Sequence, residues 1–244
     1  MAIANSVNKE GLVVRLASTK ENDAMVTALS RDGFLSFYAR GVTKYSSKNH
    51  ASCELLSYAT FSLGESSDGK FALSESVLHS SYFKGDDFDA CLIQTFLLEV
   101  TNRLVQEEDG PQVYPWLIAG LSAIQEGKDP YTVGLLFLAN ILRIGGIGLE
   151  TTQCVLCGGK SKIMSVSYED GGFVCANCFV PETMSETPDI EKKIIRYIFV
   201  APLSDVGRVS LPEQPRNHVY RNLVEYINEM TGVRLQSLDL LIGK

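Results

Sequence analysis

The stretch Cys154–Cys178, CVLCGGKSKIMSVSYEDGGFVCANC, holds four of the chain's six cysteines, and their spacing decides how the second half of the chain can fold. They stand in two pairs, Cys154/Cys157 and Cys175/Cys178, in the arrangement C-x2-C-x17-C-x2-C. Two cysteines three apart on a tight turn can aim both sulfurs at one tetrahedral ion about 2.3 Å away. Gly158 and Gly159 after the first pair, and Gly171 and Gly172 before the second, supply the turn freedom this needs. Between the pairs, IMSVSYEDGGFVC reads as a hairpin turning at EDGG. The spacing predicts a four-thiolate site, structural because no coordination position is left for water. A thioredoxin-type redox pair needs one CxxC in a strand–helix–strand context, and here there are two. Four thiolates without a redox context favour zinc over iron, one ion per chain. Cys53 and Cys91 read as ordinary core or half-buried thiols on a strand end and a helix face.

Upstream, roughly the first eighty residues read as strands. GLVVRLAS, AMVTALS, GFLSFYARGV, ELLSYATFSLGE and KFALSESVLH are short, rich in β-branched and aromatic residues, and separated by polar or glycine-bearing turns. In the fourth, Leu55, Ala59, Phe61 and Leu63 alternate with Ser and Thr, which predicts one buried and one wet face. Five short strands suit a small barrel of the oligonucleotide-binding (OB) type; an open sandwich fits nearly as well. After YFKGDD the period changes. Phe88, Leu92, Phe96, Val100 and Leu104 recur every four residues, the stripe of an amphipathic helix, with Asp86 and Asp87 placed to cap it. A second helix is expected to start near Pro115 and stop at Gly127, and a third, mostly buried, to run over DPYTVGLLFLANILRIGG. Its GGIG tail follows a helix rather than a strand, so Gly145 and Gly146 read as helix termination and not as a dinucleotide loop. DIEKKIIRYIF and HVYRNLVEYINEM complete the helices, the latter with Val219, Leu223, Ile227 and Met230 on one side. The expected class is α+β and multidomain. An N-terminal five-stranded OB-type β-barrel (1–80) precedes a helical domain (81–150 and 181–244), into which a four-cysteine zinc knuckle, or zinc finger (151–180), is inserted.

The composition, 45% apolar and 21% charged over 244 residues, is that of a globular protein long enough for two modest domains. MAIANSVNKEGLVV lacks the basic start and apolar core of a secretory leader. VGLLFLANILRIGGIG carries Asn140 and Arg143 and is too short to span a bilayer comfortably. A cytoplasmic protein without structural disulfides is expected. The net charge of −7 argues at first sight against a nucleic-acid partner. Its distribution matters more: 8 positive and 8 negative side chains in residues 1–80, 4 against 10 in 81–150, 10 against 11 in 151–244. Residues 31–50 hold Arg31, Arg40, Lys44 and Lys48 against Asp32 alone.

That basic segment, RDGFLSFYARGVTKYSSK (31–48), interleaves its cations with Phe34, Phe37, Tyr38 and Tyr45. On a strand, Phe34, Ser36, Tyr38 and Arg40 share one face, while Leu35, Phe37 and Ala39 share the other and read as core. The first face is either a stacking platform flanked by cations, the equipment of single-strand binding, or a half-exposed sheet face with solubilising charges. The residues alone leave both open. His50, His79 and His218 have nothing at metal or nucleophile spacing around them, and no nucleophile elbow, phosphate loop or HExxH occurs. No enzymatic reaction is expected.

Taken together, these features resemble the RecO family of bacterial recombination mediators. The likeness runs through EGLVVRLASTKENDAMVTALSRDGFLSFYARGVTK, ELLSYATFSLGE and LLEVTNRLVQEE, then LLFLANILRIGGIGLETTQCVLCG leading into GGFVCANC, and covers the chain to about residue 200. Its most telling parts are Ala39, Arg40 and Gly41 followed by lysines, and a cysteine knuckle just after a GxxLE helix end. The resemblance implies an N-terminal OB barrel, a helical domain and a zinc finger. It implies binding to single- and double-stranded DNA, annealing of complementary strands, and loading of RecA with RecR onto DNA coated by the single-stranded DNA-binding protein SSB. It also implies gap and break repair of the RecF type, at the nucleoid of a bacterial cytoplasm and without covalent catalysis. By position, Arg40 and Lys44 match the family's basic element, Arg15 and Lys48 extend it, and Cys154, Cys157, Cys175 and Cys178 match its metal ligands. The acidic SSB tail docks on the helical domain in the family, where Arg103 and Arg143 are among the few cations here. The acidity is a departure and predicts weak, salt-sensitive DNA binding confined to the barrel, with RecR supplying part of the grip. The reading from another class is a zinc-ribbon adaptor whose barrel binds protein instead of DNA.

Overall fold

The computed structural model describes residues 6–65 and 69–237. Residues 1–5, 66–68 and 238–244, and with them the start of MAIANSVNKEGLVV, lie outside the described residues. The chain divides into two compact units, Met1–Asp87 with Val105–Pro115, and Phe88–Leu104 with Trp116–Lys244.

In the first unit, β1 (Ser6–Ser18), β2 (Ala24–Ser30), β3 (Gly33–Ala39), β4 (Ser57–Glu65) and β5 (Phe71–Ser81) close a barrel in the order β1-β2-β3-β5-β4. All neighbours are antiparallel except β3 and β5, which run parallel. Closure removes the open sandwich and is the five-stranded OB topology. It depends on β1, which pairs with β4 through Ser6–Leu12 and with β2 through Leu12–Ser18. A register shift between Val13 and Arg15 bends the strand where it changes partners. Alternation sends Val13, Val26, Ala28, Phe37, Ala39, Phe61 and Leu63 inward. The Phe37 and Phe61 rings meet at 4.8 Å between centroids. Burying each such side chain contributes about 1.5–3 kcal/mol. Leu55 departs from the expected alternation: it precedes β4 and is exposed, and Leu56 is buried in its place at φ +66°.

In the second unit, α1 (Phe88–Leu104) buries Leu92, Phe96 and Val100 as the four-residue stripe predicts, but Phe88 is 76% exposed. Ile93 and Leu97 are fully buried as well, so the helix is covered over a wider arc than one stripe. The next helix, α2 (Gly110–Gln125), whose residues up to Pro115 belong to the first unit, begins five residues before Pro115, which lies inside it. A 3-10 turn at Glu107–Asp109 leads into it, and its three carboxylates suit the positive end of the helix dipole. The third, α3 (Pro130–Ile144), is buried from Thr132 through Leu142. Both α2 and α3 stop with the same pair of hydrogen bonds. Gly127 and Lys128 donate to Ile124 and Ala123, both at 3.0 Å; Gly146 and Ile147 donate to Arg143 and Leu142, at 3.2 and 2.9 Å. Two more helices follow, α4 (Asp189–Val200) and α5 (Glu213–Thr231). The latter starts ahead of His218, buries Val219, Leu223 and Ile227, and leaves Met230 53% exposed near its end. Among the described residues no helix is long and apolar enough to cross a membrane.

Glu99 on α1 ties down the segment after α5. Its carboxylate accepts from the Gln236 and Ser237 amides at 2.7 and 2.8 Å and from the Ser237 hydroxyl at 2.5 Å. Burial pushes this carboxyl up, but these donors, with Arg103 beside it, outweigh burial and hold it below the ordinary range. A folded value below the unfolded one means the stabilisation is present above about pH 4.3 and is lost as pH falls through the folded value. Amide protection at Gln236 and Ser237, followed by NMR, is expected to hold above about pH 4.3 and to drop as pH falls well below it. In Glu99→Ala it should be low throughout; equal protection in the variant would remove Glu99 as the anchor.

Candidate metal centre and nucleic-acid interface

The four cysteines converge. Their sulfurs all lie within 4.8 Å of one another, and Cys157 Sγ stands 3.7 Å from Cys175 Sγ. Ligands about 2.3 Å from one tetrahedral ion sit about 3.8 Å apart, so the spacing fits a shared metal and is too long for a disulfide. Backbone amides already face the sulfurs: Cys175 N–H donates to Cys154 Sγ and Gly159 N–H to Cys157 Sγ, both at 3.4 Å. The Ser161 hydroxyl is the main cause that brings the Cys175 thiol down to about 6. Burial pushes Cys154 up, yet amides of Cys175, Cys157 and Leu156 leave it below its ordinary value. Cys178 goes the other way, to about 12, through its bond with Cys157 and through burial. The thiolate is the ligating form, so Cys154 and Cys175 are predisposed to it. The cluster can hold one metal ion.

The knuckle is built on β6 (Ile163–Ser167) and β7 (Gly172–Cys175), paired with Val166 opposite Phe173. Gly172 is required by close approach, because a β-carbon there would meet Glu150 O at 2.5 Å. Next to it, Phe173 N–H donates to Glu150 O at 2.9 Å and Val155 N–H to Phe173 O at 2.8 Å, which joins the first cysteine loop to β7. From α4, Lys192 Nζ donates to Ile163 O at 2.9 Å and Arg196 Nε to Thr151 O at 3.1 Å. The remaining cysteines are apart from this centre. Cys53 is buried in a 3-10 turn, where burial pushes its thiol to about 12, and Cys91 is half-buried on α1.

On the barrel, the basic segment leaves β3 at Arg40 and is held at its root by Asp23 in the β1–β2 loop. Asp23 accepts from the Gly41 amide at 2.7 Å and from the Tyr38 hydroxyl. These two donors, the phenol first, hold its carboxyl below the usual range, with Lys20 and Arg40 adding their fields. Gly41 has φ +65°, a left-handed turn that sends the chain away from β3. Thr43 N–H then donates to Asn22 O at 3.2 Å. Arg40, Lys44 and Tyr45 are exposed beyond this anchor, Tyr45 at 93%. Lys20 is exposed beside them, a cation the strand pattern does not single out because it belongs to a turn twenty residues earlier.

The other candidates are placed unequally. Arg15 on β1 stands opposite Thr27, donates to its hydroxyl at 3.3 Å, and reaches the outer face of β2 and β3 where Thr27 meets Ser36. Tyr38 shares that face, but its hydroxyl is committed to Asp23. Phe34 is half-buried near the other end of β3; a β-carbon at Gly110 would come within 3.2 Å of its ring, so it packs there instead of lying open. Arg31 sits in the β2–β3 turn, at the opposite end of β3 from Arg40, about 20 Å of strand away. Lys48 is paired with Glu75 at 2.5 Å. In the second unit, Arg103 is engaged by Glu99 at 3.4 Å and by Arg234 O at 3.0 Å, and Arg143 donates to Asn140 at 3.0 Å.

Two family models match the chain: Recombination protein O N terminal over residues 1–82, and Recombination protein O C terminal over residues 85–239. Among similar proteins are those named DNA repair protein RecO from Bacillus pumilus (strain SAFR-032), 28% identical over 95% of this chain and 91% of the relative, and from Bacillus subtilis (strain 168), 26% identical over 95% and 92%. The protein of that name from Listeria monocytogenes serotype 4b (strain CLIP80459) is 25% identical over 95% and 92%.

Proposed function

Since the chain belongs to the RecO family of DNA repair proteins, we propose that it is a recombination mediator that binds DNA through its barrel and performs no covalent catalysis. In this reading residues 1–80 are the DNA-binding domain. Residues 81–150 and 181–244 form the partner-docking domain, and 151–180 are a knuckle held by one structural Zn2+ on Cys154, Cys157, Cys175 and Cys178. The protein works in the cytoplasm on single- and double-stranded DNA, anneals complementary strands, and with RecR helps load RecA onto SSB-coated strands. Arg103 and Arg143 are candidates for the SSB tail, at the cost of the local bonds they now make.

The observation that carries the DNA reading is the anchored basic segment on a closed OB barrel: Asp23 fixes the root, and Arg40 and Lys44 are exposed beyond it without a bonded acceptor among the described residues. Arg15 and Lys20 extend that surface, and Lys48 joins it if the Glu75 pair opens. Arg31, Phe34 and Tyr38 are weaker candidates by their placement. Each phosphate contact to a single strand contributes about 0.7 to the salt slope. Fluorescence anisotropy with a labelled single-stranded oligonucleotide is expected to show Arg40→Ala/Lys44→Ala with a slope shallower by about 1.4 and affinity about 25-fold lower at 0.1 M salt. An unchanged titration would take DNA off this surface, and no binding at low salt even with RecR would favour the protein-binding adaptor.

A further inference from the structure

Cations gather at a second place, which chain order conceals. Residues 151–244 are nearly balanced, 10 positive side chains against 11 negative. Folding sorts them. A cavity of about 380 Å³ beside the knuckle is lined by Lys160, Lys162, Lys192, Lys193 and Arg196, with Asp189 as the single carboxylate among its lining residues. Lys160 and Lys162 come from the loop after the first cysteine pair, and the other three from α4.

Asp189 does not neutralise this group. Its carboxylate is 2.9 Å from Lys192 Nζ, and that ammonium is also bonded to Ile163 O at 2.9 Å, so the pair is closed on itself. Lys192 is the chief cause holding the Asp189 carboxyl below its usual range, and the fields of Lys193 and Lys162, which line the same cavity, add to it. Lys160, Lys162 and Lys193 are exposed and, among the described residues, form no ion pair. Arg196 has its Nε bonded to Thr151 O and its guanidinium resting 5.1 Å from the centroid of the Phe173 ring, so it is held in one orientation with its terminal nitrogens unbonded among the described residues. Unpaired cations lining one cavity repel one another, and an anion across them removes that cost.

We infer that this cavity is a second phosphodiester-binding surface, gripping a nucleic-acid backbone through Lys160, Lys162, Lys193 and Arg196. A strand backbone fits it better than an acidic, hydrophobic-ended peptide. The only large apolar side chains in the lining are Ile163 and the buried Phe173, which offer no pocket for an apolar anchor. No exposed aromatic lines it, so bases are not stacked and sequence is not read. The consequence is a chain with a cationic surface on each compact unit, able to hold two strands at once, as annealing requires. This inference rests on the nucleic-acid reading of the chain but not on the barrel as the site.

The test uses the full chain carrying Lys160→Ala/Lys162→Ala/Lys193→Ala, with metal content measured to show that the knuckle stands. The anisotropy titration is run in the parent and in the Arg40→Ala/Lys44→Ala background. In the Arg40→Ala/Lys44→Ala background, where the barrel grip is already weakened, the expected salt slope is shallower by about 2 and the affinity at 0.1 M salt lower on the order of 100-fold; in the parent, the strands bound per chain are expected to fall from two to one. Titrations that superimpose on their parents in both backgrounds overturn the inference. So does a triple variant that loses binding to a short poly-glutamate peptide while its DNA titration is unchanged. A barrel variant without effect beside a knuckle variant with one would reject the barrel site alone.

Discussion

Replacing Cys154 or Cys175 by serine is expected to unfold the knuckle between about Thr151 and Cys178 and to give a chain purified without metal. The two strands of the hairpin have five and four residues, and a two-stranded hairpin of this size is marginal in water by itself. What holds it must come from outside the ladder, and a structural zinc site supplies apparent binding energies of about 10–16 kcal/mol near neutral pH. Serine keeps the size of the side chain but not the soft, easily ionised sulfur that binds zinc. Cys154 and Cys175 are the buried members of the set, so their loss also strands hydroxyls in the interior. The damage should reach α4, since Lys192 and Arg196 donate to carbonyls at Ile163 and Thr151. Elemental analysis is expected to fall from one zinc per chain to none, and limited proteolysis to open residues 157–175. Chelation of the parent should give the same pattern. A Cys154→Ser chain with the parent's melting temperature and cleavage pattern would mean that no metal supports this fold.

The convergence of the four cysteines was legible because it is local: their spacing carries it without help from the rest of the chain. The strands were legible for a similar reason, since alternation and turn residues are properties of short windows. Barrel closure was not. It depends on Val14 breaking the register of β1 and on β3 meeting β5 in parallel, neither of which leaves a mark in a short window of sequence. α2 and α5 start earlier than their apolar period suggests, because GPQVY and EQPRN carry little of that period and a helix's first turn needs none. Phe88 sits at the phase of the buried stripe yet projects into solvent, because period gives a direction and not a depth. At the two proposed nucleic-acid surfaces the loss is greater. Nothing near Phe34 announces Gly110, nothing near Tyr38 announces Asp23, and the lysines of the knuckle loop reveal their company only when α4 packs beside them.

Arg216→Ala is expected to destabilise the helical unit by about 3–5 kcal/mol, the usual cost of removing one partner from a buried ion pair. Arg216 is only 7% exposed on α5, and its Nη1 donates to both oxygens of Asp129 at 3.2 and 3.1 Å. Its guanidinium lies 4.6 Å from the centroid of the Tyr131 ring. Asp129 precedes α3 and also accepts from the Thr132 hydroxyl at 2.5 Å and the Ser210 hydroxyl at 3.1 Å, while Thr132 accepts from the Leu211 amide at 2.9 Å. One carboxylate therefore joins the start of α3, the segment before α5, and α5 itself. Alanine at 216 would leave that carboxylate charged and short of its cation in a site sheltered from water, and would also lose the packing over Tyr131. The loss therefore measures an unpaired charge more than the worth of the pair. It follows that Asp129→Asn/Arg216→Met, which removes both charges and keeps much of the volume, should recover a good part of the stability lost in Arg216→Ala. Denaturant titrations of the single and double variants decide the matter. A single variant within about 1 kcal/mol of the parent would show that the pair is not what fixes α5 on α3. A double variant worse than the single would show that the hydroxyl and amide bonds to Asp129 and Thr132, rather than the charge, carry the junction.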